Sequence, residues 1–230
     1  DIYENLKDIL KLTQGLILIS GPTGSGKTTT LYSILKELNS DDKKIITVED
    51  PIEYKIDSIN QVPINNKVGL SFELVLKNIL RQDPDIIFIG EIRDKFSLDI
   101  ALQASLTGHL VLASIHASSS VETITRLIDL KADPFLISTT LKAVMAQRLV
   151  LAHCKSCENG CKKCNFTKFY DRTSISEILK VDEQISSLIF NKASFNELKE
   201  YLKNINFKTM LDDGKQKVKD GLTTLEEVYK

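Results

Sequence analysis

Short apolar runs alternate with stretches of helical periodicity up to about residue 150. Leu16 to Ile19 is continuously apolar and reads as a buried strand. Thr29 to Leu38 follows with Leu31, Ile34, Leu35 and Leu38 on one helical face. Ile45 to Val48 predicts a second strand, stopped at Glu49-Asp50-Pro51, where the proline biases Asp50 toward extended backbone. Residues 55–70 hold Pro63, Asn65, Asn66 and Gly69 and predict an irregular, hairpin-like excursion. Ser71 to Arg81 is amphipathic, with Phe72, Val75, Leu76 and Ile79 on one face and Ser71 as N-cap. Leu74 stands where a capping box needs an acid or amide, so that box is incomplete. Asp85 to Ile89 and Leu110 to Ile115 predict further strands, with a helix over Leu98 to Leu106 between them. Val121 to Lys131 and Pro134 to Leu149 predict helices. Strands alternating with helices indicate an α/β fold, a parallel sheet covered on both faces.

Beyond residue 150 the pattern changes. Ser176 to Phe190, Ser194 to Asn204 and Thr223 to Lys230 predict helices with no strong strand between them. Ser194 and Glu197 have the spacing of a capping box. The reading divides the chain into an α/β core over 1–150, a cysteine-rich module over 151–172 and a helical C-terminal subdomain over 173–230.

Composition changes this picture little. The chain has 230 residues, 42% hydrophobic and 27% charged, with a net charge of −1. That near-neutral balance offers no global electrostatic case for nucleic acid. No apolar stretch approaches the roughly 18–20 residues of a membrane span. Asp1 to Thr13 mixes charges without a long apolar core, which argues against a signal peptide. The sequence does not begin with Met, so it reads as a piece of something longer.

The first candidate chemistry lies between the first strand and helix. Gly21, Pro22, Thr23, Gly24, Ser25, Gly26, Lys27 and Thr28 spell G-x-x-x-x-G-K-T, with Thr29 next. In a strand–loop–helix context this is the phosphate-binding loop of P-loop NTPases. The glycines let successive N–H groups turn inward onto phosphate oxygens, and the helix aims its positive end at the same anion. Lys27 is expected to reach the β- and γ-phosphates of ATP, and the Thr28 hydroxyl to ligate Mg²⁺.

Ligands of open parallel sheets bind beyond the carboxyl ends of strands. Predicted strands end before Glu49, before Gly90-Glu91 and before His116. Phosphoryl transfer to water needs positioning, charge stabilisation and a group that orients the water. Glu91, after Asp-Ile-Ile-Phe-Ile-Gly, is the candidate base, with Glu49 and Glu53 as competitors for water or Mg²⁺. His116 is a candidate phosphate or carboxylate partner. His109 precedes its strand and is placed at the opposite end of the sheet.

All four cysteines fall in one segment: Cys154, Cys157, Cys161 and Cys164, a C-x2-C-x3-C-x2-C pattern. In a P-loop protein the expected compartment is the cytosol, where disulfides are rare, so the pattern reads as a metal site. Four thiolates suit tetrahedral Zn²⁺, with iron–sulfur ligation a lesser alternative.

These blocks, in this order, resemble the secretion ATPases that power type II secretion and type IV pilus assembly. Residues 15–32 look like the family's Walker A block, 48–54 like its aspartate box, 80–94 like its Walker B block and 107–117 like its histidine box. Residues 160–179 and 210–228 are similar to the second Cys pair and the C-terminal signature of its assembly and secretion branch. In this chain only Glu158-Asn159-Gly160 separate the Cys pairs, where the family often carries a much longer insertion; a tight turn at Gly160 would close the site.

The resemblance implies a RecA-like ATPase core working as a homo-hexamer on the cytoplasmic face of the inner membrane. It implies motion transmitted to a membrane platform protein, with an adaptor, and membrane contact only through those partners. Lys27 and Thr28 would serve phosphate and Mg²⁺, Glu49 and Glu53 Mg²⁺ and water, Glu91 catalysis and His116 sensing. Arg81 and Arg93 match arginines of the Walker B block and would bridge carboxylates or a neighbouring subunit. The tetracysteine points to assembly rather than retraction. Family members carry an N-terminal domain whose arginines complete the nucleotide site, so weak ATPase activity and poor ring formation are expected of this chain alone. Two other classes compete: a RecA-like helicase or DNA translocase, and a non-hydrolysing nucleotide-gated scaffold.

Overall fold

The computed structural model describes residues 2–230. Asp1, where the segment read for a leader begins, lies outside them. Helix α1 (Ile2–Leu10) leads into β1 (Gly15–Ser20) and α2 (Lys27–Leu38). Next come β2 (Ile45–Glu49), the short β3 (Asn60–Pro63) and a 3-10 turn at Asn66–Val68. Helix α3 (Phe72–Ile79) passes through a 3-10 turn, Leu80–Gln82, into β4 (Ile86–Ile89), α4 (Lys95–Leu106) and β5 (Leu110–Ile115). Helices α5 (Ser120–Asp129) and α6 (Pro134–Thr140) precede two long strands, β6 (Leu141–His153) and β7 (Phe169–Lys180). Helices α7 (Glu183–Phe190), α8 (Phe195–Asn204), α9 (Met210–Lys219) and α10 (Leu225–Tyr229) follow.

One sheet organises the molecule, in the order β3-β2-β4-β5-β1-β6-β7. All neighbours pair in parallel except β6 and β7, which are antiparallel. Every residue of β1, β2, β4 and β5 is buried, which is why these strands appear in sequence as largely apolar runs, interrupted at Thr47 and Ser114. Alternate side chains serve the two layers. Leu16 and Leu18 face a core shared with Leu98 and Leu102 of α4 and Ile124 of α5. Ile17 and Ile19 face the other, with Leu31, Tyr32 and Leu35 of α2. Burying one such side chain contributes about 1.5–3 kcal/mol. A smaller cluster of Ala146, Val150, Ile175, Met210 and Val228 seats α9 and α10 on the β6–β7 pair.

Local signals account for the helix starts. The Ser71 hydroxyl accepts from the Leu74 N–H, a cap without the reciprocal acid. Ser194 and Glu197 form the full capping box at α8. Asp94 caps α4 and starts it at Lys95, three residues before the apolar face suggested.

Two helix readings are corrected. Residues 141–149 form the first part of β6, not the end of a helix: α6 stops at Thr140, and Leu141 turns extended. Leu-Lys-Ala-Val-Met-Ala-Gln-Arg-Leu favours helix by composition, but between β1 and β7 the segment is enclosed by sheet neighbours and tertiary pairing overrides propensity. Residues 176–180 belong to β7, and the helix begins only at Glu183, where Asp182 caps it. The excursion at 55–70 is largely irregular, as expected: it contributes the short edge strand β3, parallel to β2, and closes a tight antiparallel bridge between Asn65 and Leu70. β7 also crosses the boundary drawn between 172 and 173.

Candidate functional site

The carboxyl ends of β1, β2, β4 and β5 border one cleft of about 950 Å³, lined by residues 23–29 on one side and by Glu49, Glu53, Glu91 and His116 on the other. β1 delivers the chain at Ser20, and the loop from Gly21 turns into α2 at Lys27. Gly26 is the N-cap of α2 and holds a left-handed φ of 87°, with no side-chain cap. A Cβ at Gly21 would lie 2.4 Å from the Gln147 carbonyl oxygen, so only glycine fits that crossing. The first-turn N–H groups of α2 therefore remain available to an anion.

Lys27 folds back over this loop. Its Nζ donates to the carbonyls of Gly21 at 2.8 Å and Pro22 at 3.0 Å. Burial lowers its pKa, with the nearby Glu91 charge acting in the opposite sense. Thr28 and Thr29 are exposed at the cleft, and the Ser25 hydroxyl is buried without a hydrogen-bond partner.

Glu91 stands just past β4, its side chain 19% exposed. His116 Nε2 approaches its Oε1 at 2.7 Å and Arg93 Nε donates to its Oε2 at 2.5 Å. The Glu91 hydrogen bond holds the Arg93 pKa above its ordinary value. The Ser114 hydroxyl donates to the Gly90 carbonyl at 2.6 Å, and the Gly90 N–H donates to Val48 at 2.8 Å. β2, β4 and β5 are thus tied together where their acids emerge.

Glu49 is in a different setting. It is 2% exposed, and three side chains donate to it: Tyr32 to Oε2, and Thr47 at 2.6 Å and Gln61 at 3.1 Å to Oε1. Glu53 is exposed, and its backbone N–H donates to the Tyr32 hydroxyl at 3.2 Å. Arg81 sits in the 3-10 turn after α3, exposed and away from the cleft lining. His109 lies at the opposite end of β5, its Nδ1 3.0 Å from the Ala104 carbonyl.

Sequence reasoning missed three residues, one lining the cleft and two buried behind its walls. Gln147 of β6 is buried; its Nε2 donates to the Ser25 carbonyl at 2.8 Å, and its Oε1 accepts from Thr30 at 2.9 Å. Its segment was read as helix, which hid that it faces the phosphate loop. Arg172 of β7 lines the cleft from a strand absent from the expected pattern. Tyr32 lies beside the apolar face of α2, and a hydroxyl there gives no periodic signal.

The cysteines occupy the connection between β6 and β7. Their four sulfurs all lie within 4.8 Å of one another. Three of the separations are 3.6, 3.8 and 4.0 Å. Tetrahedral zinc with Zn–S bonds near 2.3 Å requires sulfurs about 3.8 Å apart, so the donor set fits such an ion. Gly160 makes the turn between the pairs at φ 97°, and a Cβ there would meet the Phe166 carbonyl oxygen at 2.9 Å. The Cys161 backbone N–H lowers the Cys164 thiol to about 6, while burial pushes Cys157 up to about 12.

A RecA-like α/β fold with a phosphate loop opposite strand-end acids defines the chain as a P-loop NTPase. The family model described as "Type II/IV secretion system protein" matches residues 2–230, and the chain belongs to that family. It is 42% identical to the type II secretion system ATPase E of Vibrio cholerae, over 99% of this chain and 50% of the relative. It is 40% identical to the type IV pilus assembly ATPase PilB of Thermus thermophilus, over 99% of this chain and 29% of the relative. Among solved structures, the pilus retraction motor PilT with bound ADP superposes with a TM-score of 0.81 at 31% identity, covering 98% of this chain and 63% of that one. The Legionella pneumophila ATPase DotB gives 0.78 at 27%, covering 98% and 62%. The chain spans at most about half the length of these curated relatives.

Proposed function

We propose that this chain is the ATP-hydrolysing part of a motor that assembles pilin-like filaments for type II secretion, type IV pili or DNA uptake. The observation that carries the reading is Glu91, held by His116 and Arg93 across the cleft from Lys27 and Thr28. Residues 21–29 bind the triphosphate through backbone N–H groups and Lys27. Glu91 orients or deprotonates the attacking water, and His116 couples that carboxylate to the end of β5. Thr28 and Glu53 offer hard oxygen donors suited to Mg²⁺, which when bound neutralises charge on the phosphates.

The tetracysteine holds a structural zinc ion through Cys154, Cys157, Cys161 and Cys164. Four protein ligands leave no open position for catalysis. The motor acts as a homo-hexamer, with Arg93 or Arg81 serving a subunit boundary. It works on the cytoplasmic face of the inner membrane, through a platform protein and an adaptor. Among the described residues, no helix is long and apolar enough to cross a membrane.

The test is a strain whose own copy carries Glu91→Gln, scored for secreted cargo, surface pili and DNA uptake. Loss of at least one of these, with the protein present at normal level, is expected. Wild-type performance in all three would overturn the reading.

A further inference from the structure

Tyr32 is fully buried, five positions after Lys27 on α2. Its ring meets Tyr54 edge-on at 4.7 Å and Phe88 at 6.2 Å between centroids. Its hydroxyl makes two bonds at once, donating to Glu49 Oε2 and accepting from the Glu53 backbone N–H at 3.2 Å. Burial and the Glu49 carboxylate raise the phenol well above its ordinary pKa, so it remains a donor.

The helix that presents Lys27 and Thr28 is thereby bonded directly to the acidic segment on the facing wall. Gln61 braces that segment a second time. Its Nε2 donates to Glu49 and, at 3.2 Å, to the Tyr54 carbonyl, while its Oε1 accepts from the Ile56 N–H at 2.8 Å. Both Glu49 oxygens are engaged by protein donors, and the residue is 2% exposed. Freeing it for a metal or a water would leave buried donors unpaired, which is costly. Glu49 acts as a fixed anion at the cleft wall, and the exposed carboxylates that this segment offers to the cleft are Asp50 and Glu53.

We propose that Tyr32 is a positioning residue for hydrolysis: its hydroxyl anchors Glu49 and, through the Glu53 amide, sets where the Glu53 carboxylate stands relative to Lys27 and Thr28. The inference rests on the hydrolase reading above.

The experiment is steady-state ATP hydrolysis by the full-length, metal-loaded protein, with Tyr32→Phe compared to wild type and to Glu91→Gln. Phenylalanine keeps the ring contacts and removes only the hydroxyl. The expected result is a kcat lower by about tenfold with KM for ATP within about twofold, alongside a melting temperature lowered by no more than the few degrees that one lost buried hydrogen bond costs. Tyr32→Phe combined with Glu49→Gln should cost less than the sum of the two single changes, because the two residues share the Tyr32–Glu49 bond. A Tyr32→Phe kcat equal to wild type overturns the proposal. So does a loss that appears in KM and melting temperature instead of kcat. If the wild type turns over and Glu91→Gln does not, such a result fells the Tyr32 inference alone; no wild-type turnover fells both. Should Tyr32→Phe not fold, Gln61→Met removes the second brace and decides by the same kcat criterion.

Discussion

Glu91 and Glu49 both follow buried strands, yet their surroundings make them different acids. Glu91 keeps 19% of its side chain exposed and is held by the flexible tips of His116 and Arg93 at the cleft. Glu49 is closed in by Tyr32, Thr47 and Gln61. Strand-end position was readable for both; only packing separates the part-exposed acid from the enclosed one. Gln147 shows the same limit. It is an amide within a helix-like run, and nothing in that run signals that it clamps the Ser25 carbonyl. Replacing it with leucine leaves that carbonyl and Thr30 without their partner. Gln147→Leu is expected to lose about 1–3 kcal/mol of stability by denaturant titration and to raise KM for ATP about tenfold. Unchanged nucleotide affinity would show that the phosphate loop holds its shape without β6.

At the level of elements, the strands that build the nucleotide cleft were legible and the pair that extends the sheet was not. β1, β4 and β5 are short, largely apolar and bounded by polar residues, so burial on both faces wrote itself into the sequence. β6 carries Ala, Leu, Met and Gln, residues at home in helices, and its identity depends on pairing with β1 and a distant β7. The cysteine spacing was legible because it is local, and its geometry follows from Gly160 turning at φ 97°. That turn joins the two longest strands of the sheet, so a metal there would pin the β6–β7 end that carries Gln147 and Arg172. Freshly purified, reduced protein should contain about one zinc per chain, and chelation should lower its melting temperature. Mass spectrometry under native conditions checks the stoichiometry; metal-free protein melting at the same temperature would make the cluster four ordinary thiols.

At the scale of the whole molecule, the sheet works as a plate whose carboxyl edge gathers every predicted acid and the phosphate loop. Arg81, an arginine that the sequence also singled out, stands outside that edge in the turn after α3. The C-terminal helices sit on β6 and β7 through Met210 and Val228, and Glu177 of β7 accepts from both Ser120 at the start of α5 and Met210 at the start of α9. The histidine-box end of the core is therefore bonded, through one buried carboxylate, to the appendage.

The central claim is that the cleft hydrolyses ATP through Glu91. Its most direct test is to measure ATP affinity and turnover together in the full-length protein, wild type against Glu91→Gln. The account predicts ATP affinity within about threefold and a kcat reduced by about a hundredfold or more. Turnover by Glu91→Gln at the wild-type rate would contradict it.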